Sequence, residues 1–299
     1  MKINCPKCST HFRRSDHVTR NIVKYGSFYR SSDRKTVQRF FCKLCQHHFS
    51  VATLFVCYKQ KKRHINQNVA RLLAAGVSMR ECARVLKVNK KTVVRKLIHM
   101  GVRAQTRLEK LNKKRRPAHT IEYDDLETFE HTKCKPIAVG LAVEHKTRWV
   151  LGYSVAQMPA KGLLAAKSLK KYGKRPDERS FYRNQLLMNL KKYVKPDALI
   201  KSDENPHYGA DIKRHFPQCQ HQTFKGRKSS QGGQGELKKV GYDPIFGLNH
   251  TCATLRYRTS RLIRKTWNTT KKKERLNLHL ALIILYHNLN LKNFKQSTA

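Results

Sequence analysis

Four cysteines and two aspartates are the residues of this chain whose types and spacing could do chemistry. The cysteines form two pairs, Cys5-x2-Cys8 and Cys42-x2-Cys45. Each pair can turn two thiolates onto one metal, and two pairs complete the tetrahedron that Zn2+ prefers, with sulfurs at about 2.3 Å. His47 and His48 follow the second pair, but four thiolates already close the site, so both histidines are expected on the surface. Such a zinc is structural, and the first ~50 residues are expected to fold around it.

The aspartates pose a different problem. Thr120–Asp124 and Asp197–Asp203 both read as short strands that end in an acid. If the two strands are parallel neighbours, the carboxylates of Asp124 and Asp203 lie side by side and repel, and a divalent cation is the natural remedy. Two Mg2+ ions, or Mn2+ in their place, about 3.5–4 Å apart, can activate a water or a 3′-hydroxyl and stabilise the leaving oxygen. Mg2+ keeps several of its waters, so few protein ligands suffice. Taken singly, each aspartate reads as well as a turn acid: Asp125 and Glu127 crowd the first, and Glu204-Asn205-Pro206 follows the second.

The elements that must position these residues fall into four segments. Residues 1–55 hold the ribbon, with a polar, basic insert from His11 to Thr36 and a strand at Val37–Phe41 leading into Cys42. Residues 60–101 are expected to form a helix-turn-helix domain. Ser78 caps a helix over Met79–Leu86, Lys87-Val88-Asn89 turns, and Lys90–Met100 follows, with Gly101 as its stop. The second helix carries Lys90, Lys91, Thr92, Arg95 and Lys96, a set suited to DNA phosphates and base edges in the major groove. Residues 102–118 are expected to be a basic linker, densest at Lys113–Pro117.

From 119 to 292 the pattern is mixed α/β. It reads as a strand, a hairpin over 137–155, helices over 161–172 and 181–193, and the Asp203 strand. A helix over 206–215, a short strand over 220–224, a glycine-rich loop at Gly232–Gly235 and a helical C-terminal region complete it. Three strands, a helical block, a strand, a helix, a short strand and terminal helices is the order of a ribonuclease-H-like fold. Trp149 and Trp267 are expected in its core.

Composition fits a nucleic-acid partner. The 299 residues hold 64 Lys and Arg against 19 Asp and Glu, a formal net charge of +45. Such an excess repels itself unless a polyanion neutralises it, and binding should be steeply salt-dependent. The other five cysteines (Cys57, Cys82, Cys134, Cys219, Cys252) are scattered and odd in number, which argues against a disulfide framework. Met1 is followed by Lys-Ile-Asn-Cys, and no run approaches the ~20 apolar residues of a membrane span. A cytoplasmic, nucleoid-associated protein is expected.

In this order the motifs resemble a bacterial insertion-sequence transposase of the DDE type, of the kind found in the insertion-sequence-one family. Cys5-Pro-Lys-Cys8 with Arg39-Phe-Phe-Cys-Lys-Leu-Cys-Gln-His-His-Phe-Ser50 resembles the family's N-terminal ribbon. Tyr123-Asp-Asp-Leu-Glu-Thr-Phe129 resembles its first-acid motif and Lys201-Ser-Asp203 its second. Asn249–Arg256, then Ser260–Thr266, resembles the helix carrying the third ligand. The resemblance implies Mg2+-dependent cleavage and strand transfer of double-stranded DNA, at element ends and at the target. It also implies a homo-oligomer on that DNA.

By the same resemblance Asn249 stands where the family has a glutamate, and a neutral amide would hold the second metal less strongly. Glu236 is the competing third ligand. His250 would serve as a proton shuttle or phosphate contact, or merely as a surface residue. Arg256, Arg261 and Arg264 would contact the DNA backbone beside the site. The neutral Asn249 equally suits a DNA-binding regulator, or a decayed relative, that no longer cuts.

Overall fold

The computed structural model describes residues 3–8, 21–31, 34–55, 57–225, 243–263 and 267–297, with side chains to 293. The chain divides into two compact units, 1–68 and 69–299. Glu236, the glycine-rich loop at 232–235 and Arg264 lie outside the described residues.

The first unit is built on an antiparallel sheet of three strands in the order β1 (Ile22–Arg30), β2 (Lys35–Cys42), β3 (His47–Ser50). A short helix α1 (Val51–Leu54) follows from an N-cap at Ser50. The polar insert expected over His11–Thr36 therefore contains a nine-residue strand. Its alternation is broken where the register shifts between Lys24 and Ser27, around Gly26 at φ +64°. A bulge with glycine in the left-handed region hides a strand from a period-two pattern. The small core holds Cys5, Ile22, Phe40, Cys42 and Phe49.

The second unit opens with three helices: α2 (Asn66–Ala74), whose first residues belong to the first unit, α3 (Met79–Val85) and α4 (Lys90–Lys113). Ser78 caps α3 by accepting from the N–H of Glu81, and Asn89 caps α4 by accepting from that of Lys91. The 24-residue α4 corrects two expectations. Gly101 is no stop, and 102–118 is no linker but the second half of the helix, a short turn and the start of the next strand. Gly101 serves a close helix–helix approach: a Cβ there would lie 2.6 Å from Cβ and 2.7 Å from the backbone oxygen of Leu278. Gly101→Ala gains about 1 kcal/mol of helix propensity but overpacks a contact that includes backbone, at about 1–3 kcal/mol. A net fall in thermal midpoint is expected by calorimetry; an unchanged or higher midpoint would mean that the helices part easily.

The far half of α4 is fixed to the sheet. Asn112 donates from Nδ2 to the carbonyl of Leu151 at 2.7 Å and accepts from Nε1 of Trp149 at 2.8 Å. Trp149 is buried, as expected, with the Arg115 guanidinium stacked 4.3 Å from its ring. Trp267 corrects the other half of that expectation, for it is fully exposed.

The five-stranded sheet runs β6-β5-β4-β7-β8. β4 (Ala118–Phe129), β5 (Pro136–Glu144) and β6 (Val150–Gln157) are antiparallel neighbours, whereas β7 (Val194–Asp203) and β8 (Gln220–Phe224) continue the sheet parallel to β4. Helices α5 (Leu164–Tyr172) and α6 (Arg179–Leu190) lie between β6 and β7, and α7 (Pro206–His215) between β7 and β8. One face of the sheet buries Ile121, Tyr123 and Ile200 against Leu186, Leu187 and Leu190 of α6 and Tyr208 and Ile212 of α7. The other face takes α8 (Phe246–Arg258), which packs on β4 and β5, and α9 (Lys273–Ser297), which packs on β6. No helix among the described residues is long and apolar enough to cross a membrane.

Candidate functional site

The four cysteines meet. The sulfurs of Cys5 and Cys45 are 3.5 Å apart, those of Cys8 and Cys42 3.6 Å, and all four lie within 4.8 Å of one another. A tetrahedron of sulfurs about 2.3 Å from a central Zn2+ has edges of about 3.8 Å, so the donor set and spacing fit a metal ion such as zinc. Cys42 ends β2, and the Lys43-Leu44-Cys45-Gln46 turn closes with Gln46 at φ +53°. This places both thiols of the second pair on the side of Cys5 and Cys8. His48 is exposed and His47 half-buried on β3, outside that sulfur cluster.

Asp124 and Asp203 are brought near enough to feel each other's charge, though not as two strand ends. β4 continues past Asp124 to Phe129, paired with β5 throughout. Its pairing with β7 stops at Tyr123 opposite Ser202, because β7 ends one residue later at Asp203. Asp124 thus lies mid-strand at the point where the parallel partner leaves. Partners in register share a face, so Glu122 with Lys201 and Asp124 with Asp203 all point toward the α8 side. Asp203 accepts from the N–H of Asn205, which caps α7 through its bond from the N–H of His207. Its carboxyl is therefore held in a strand-to-helix turn while it faces Asp124.

Electrostatics carries the mark of that neighbourhood. Burial first, then the adjacent Asp203 carboxylate, push Asp124 up to about 7, against the bonds it accepts from the Asp125 N–H and the Tyr208 hydroxyl. Burial also raises Asp203. Asp125, one residue on, points to the opposite face, where it accepts from the hydroxyl of Tyr123. Its acidity too is weakened by burial, partly offset by Tyr123 and Arg183.

Two residues that the sequence did not single out hold this arrangement. Tyr208, fully buried on α7, reaches Oδ1 of Asp124 at 3.3 Å. The guanidinium of Arg183 lies 5.4 Å from its ring and pairs with the buried carboxylate of Asp211 at 2.6 Å. Asp211→Ala would leave Arg183 buried without its acid, a change that typically costs about 3–5 kcal/mol. Loss of about that much stability in urea is expected; a loss below about 1 kcal/mol would show that Arg183 finds solvent. Glu122 is the second residue. Completely buried, it accepts from the N–H of Leu248 in the first turn of α8 and pairs with Nδ1 of His145. A carboxylate suits a helix N-terminus, and this one fixes where α8 starts along β4.

From that anchor α8 runs alongside β4. Leu248, Thr251, Cys252 and Leu255 are buried, and Cys252 lies close enough to Asp124 for that carboxylate, after burial itself, to help push its thiol up to about 12. His250 and Thr254 form the flank near Arg148, whose Nη1 is 3.1 and 3.2 Å from the ring nitrogens of His250. Burial and Arg148 hold that imidazole below its ordinary pKa. Helical period then puts Asn249, Cys252 and Arg256 on the other flank. Asn249 is exposed, and its amide nitrogen donates to Asp243 at 2.9 Å. Asp243, just before α8, is a carboxylate that sequence reasoning passed over. Among the described residues, only the four cysteines form a cluster of three or more potential metal ligands.

The expected DNA contacts divide. Lys90, Lys91 and Arg95 are exposed at the start of α4, and Thr92 and Arg256 are half-buried. Lys96 and Arg261 correct the expectation, being 4 % and 8 % exposed. Lys96 falls on the inner stripe of α4 with Val93, Leu97 and Gly101. Arg261 sits in the 3-10 turn Ser260–Leu262, where burial lowers its guanidinium to about 10.

Compared with known proteins, the chain matches no family model and has no significant match among curated proteins.

Proposed function

We propose that the protein is a metal-dependent transposase of the DDE type, which recognises duplex element ends with its basic N-terminal region and cuts and joins DNA at Asp124 and Asp203. One observation carries this reading: two carboxylates lie side by side where the parallel pairing of β4 and β7 ends, and the more buried of them is pushed toward its neutral form by burial first and by the other carboxylate second. The strand order β6-β5-β4-β7-β8, with the acids on its two central parallel strands, supports a ribonuclease-H-like domain.

A divalent cation held by Asp124 and Asp203 would supply an activated water or 3′-hydroxyl and neutralise charge on the leaving oxygen. The protein's own residues do the positioning. Tyr208 fixes one oxygen of Asp124, Glu122 sets the start of α8, and Arg256 lies on the α8 flank of Asn249 and Cys252, suited to a scissile-strand phosphate. Lys90, Lys91 and Arg95, at the exposed start of α4, are suited to duplex phosphates. The zinc-type cluster serves the fold of the first unit. End joining implies at least two end-bound copies.

A second reading, a DNA-binding regulator that does not cut, is favoured by Asn249, whose amide is engaged with Asp243. Product analysis separates the two. With element-end duplex and Mg2+ or Mn2+, nicked and joined strands are expected, and Asp203→Ala should bind the same duplex without either product. Binding without any nick in the wild type would favour the regulator, and nicks without joined strands would favour a simple nuclease.

A further inference from the structure

The open face of the ribbon sheet has no part in holding metal. Partners across β1, β2 and β3 share a face, so the register that turns Ile22, Phe40, Cys42 and Phe49 into the small core turns Val23, Phe41 and His48 outward. Tyr25 and Arg39 join them on the outer side. The ring of Tyr25 is 4.7 Å from that of His48 and 6.1 Å from that of Phe41, and Phe41 and His48 are 4.6 Å apart. Tyr25 is 52 % exposed, and His48 and Arg39 are exposed as well. The bulge at Gly26 runs beside the Arg39 guanidinium: a Cβ there would lie 3.6 Å from its Nη2, an ordinary van der Waals contact.

Three contiguous rings, Tyr25 and His48 exposed and Phe41 half-buried between them, suit a partner with flat π-faces of its own. Residues 1–68 hold 15 Lys and Arg against two Asp and no Glu, which selects a polyanion. A duplex keeps its base faces inside the stack, whereas unpaired bases present them, and aromatic platforms beside cations are how proteins hold single strands. We propose that this face binds single-stranded nucleic acid, with bases stacked on Tyr25, Phe41 and His48 and phosphates on Arg39. The inference is independent of any cutting at Asp124 and Asp203.

The test is fluorescence anisotropy with the full chain, zinc-loaded, at about 0.3 M salt to weaken sequence-independent phosphate binding. The probes are oligo-dT and oligo-rU of about 20 nucleotides, and a duplex of that length. Tyr25→Leu should weaken oligo-dT binding about tenfold, while Tyr25→Phe, which keeps the ring, stays near wild type. Neither variant should change duplex affinity or zinc content. Equal binding of oligo-rU assigns the face to single strands of either sugar, and its failure restricts the face to DNA. Undiminished oligo-dT binding by Tyr25→Leu overturns the proposal, as does an equal loss on duplex. So does a changed oligomeric state with single-strand affinity intact, which would assign the face to a second copy of the chain.

Discussion

Asp124→Asn is expected to abolish metal-dependent DNA cleavage and, at the same time, to stabilise the metal-free protein at pH 8. The two effects have one cause. With its pKa raised from 3.8 to about 7, Asp124 stays protonated in the folded protein up to about pH 7, whereas in the unfolded chain it ionises near pH 4, so at pH 8 the folded protein carries a charge that burial opposes. Between about pH 4 and 7 the unfolded state binds fewer protons, so stability falls as pH rises and then levels off. Each pH unit of that gap is worth about 1.4 kcal/mol, and solvent around the half-buried pair reduces the total to a few kcal/mol at most. Asparagine keeps the shape and removes the charge, so the fall between pH 4 and 7 should shrink. The burial-raised Asp203 and Asp125 have the same sign and remain in the variant. Denaturant titrations across that range measure the effect. Mg2+ should then stabilise the wild type at pH 8 but not at pH 5, and should do neither for the variant. A variant as pH-sensitive as the wild type would show that Asp124 is not the strained carboxyl.

Cys42→Ser should have the largest effect on folding. The core around it consists of Cys5, Ile22, Phe40, Cys42 and Phe49, too little apolar surface to order a domain unaided. A structural Zn2+ contributes on the order of 10–16 kcal/mol in small zinc domains, and Cys42 is both one of the four clustered thiols and the end of β2. The full-length variant should lose its zinc by atomic absorption and become cut by protease across 21–55. The second unit, with its own sheet and core, should stay protected. Unchanged zinc content and an unchanged digestion pattern would mean that the cluster is not a metal site.

Much of this was legible in the residues. Cys-x2-Cys spacing is set by local turn geometry, so it specified the sulfur cluster without knowledge of the rest. The strand and helix order of the second unit was also readable, because alternation and a cap such as Ser78 are local signals, whereas Asn89, read as part of a turn, proved to cap α4. Where reading failed, tertiary contacts had overridden them. Gly101 looked like a terminus but marks the approach of Leu278. Lys96 and Arg261 looked like surface cations but lie on buried stripes, which charge alone does not reveal. Trp267 looked like core by its type and is exposed. β4 appeared to end at Asp124 because Asp125 and Glu127 are acidic, yet its pairing with β5 carries it to Phe129. Long-range partners of Asp124 and Asn249, such as Tyr208 and Asp243, leave no periodic trace in sequence at all.

The most direct measurement is strand cleavage of an element-end duplex at pH 8 with Mg2+, wild type beside Asp203→Ala, at protein concentrations where both bind the duplex fully. Cleavage by the wild type and a loss of at least about a thousandfold in the variant is the expected result, since Asp203 would be one of the two carboxylates holding the divalent cation, whose charge would supply most of the transition-state stabilisation. Equal cleavage by both proteins, or none by a wild type that binds, would contradict the assignment of Asp124 and Asp203 as the cutting site.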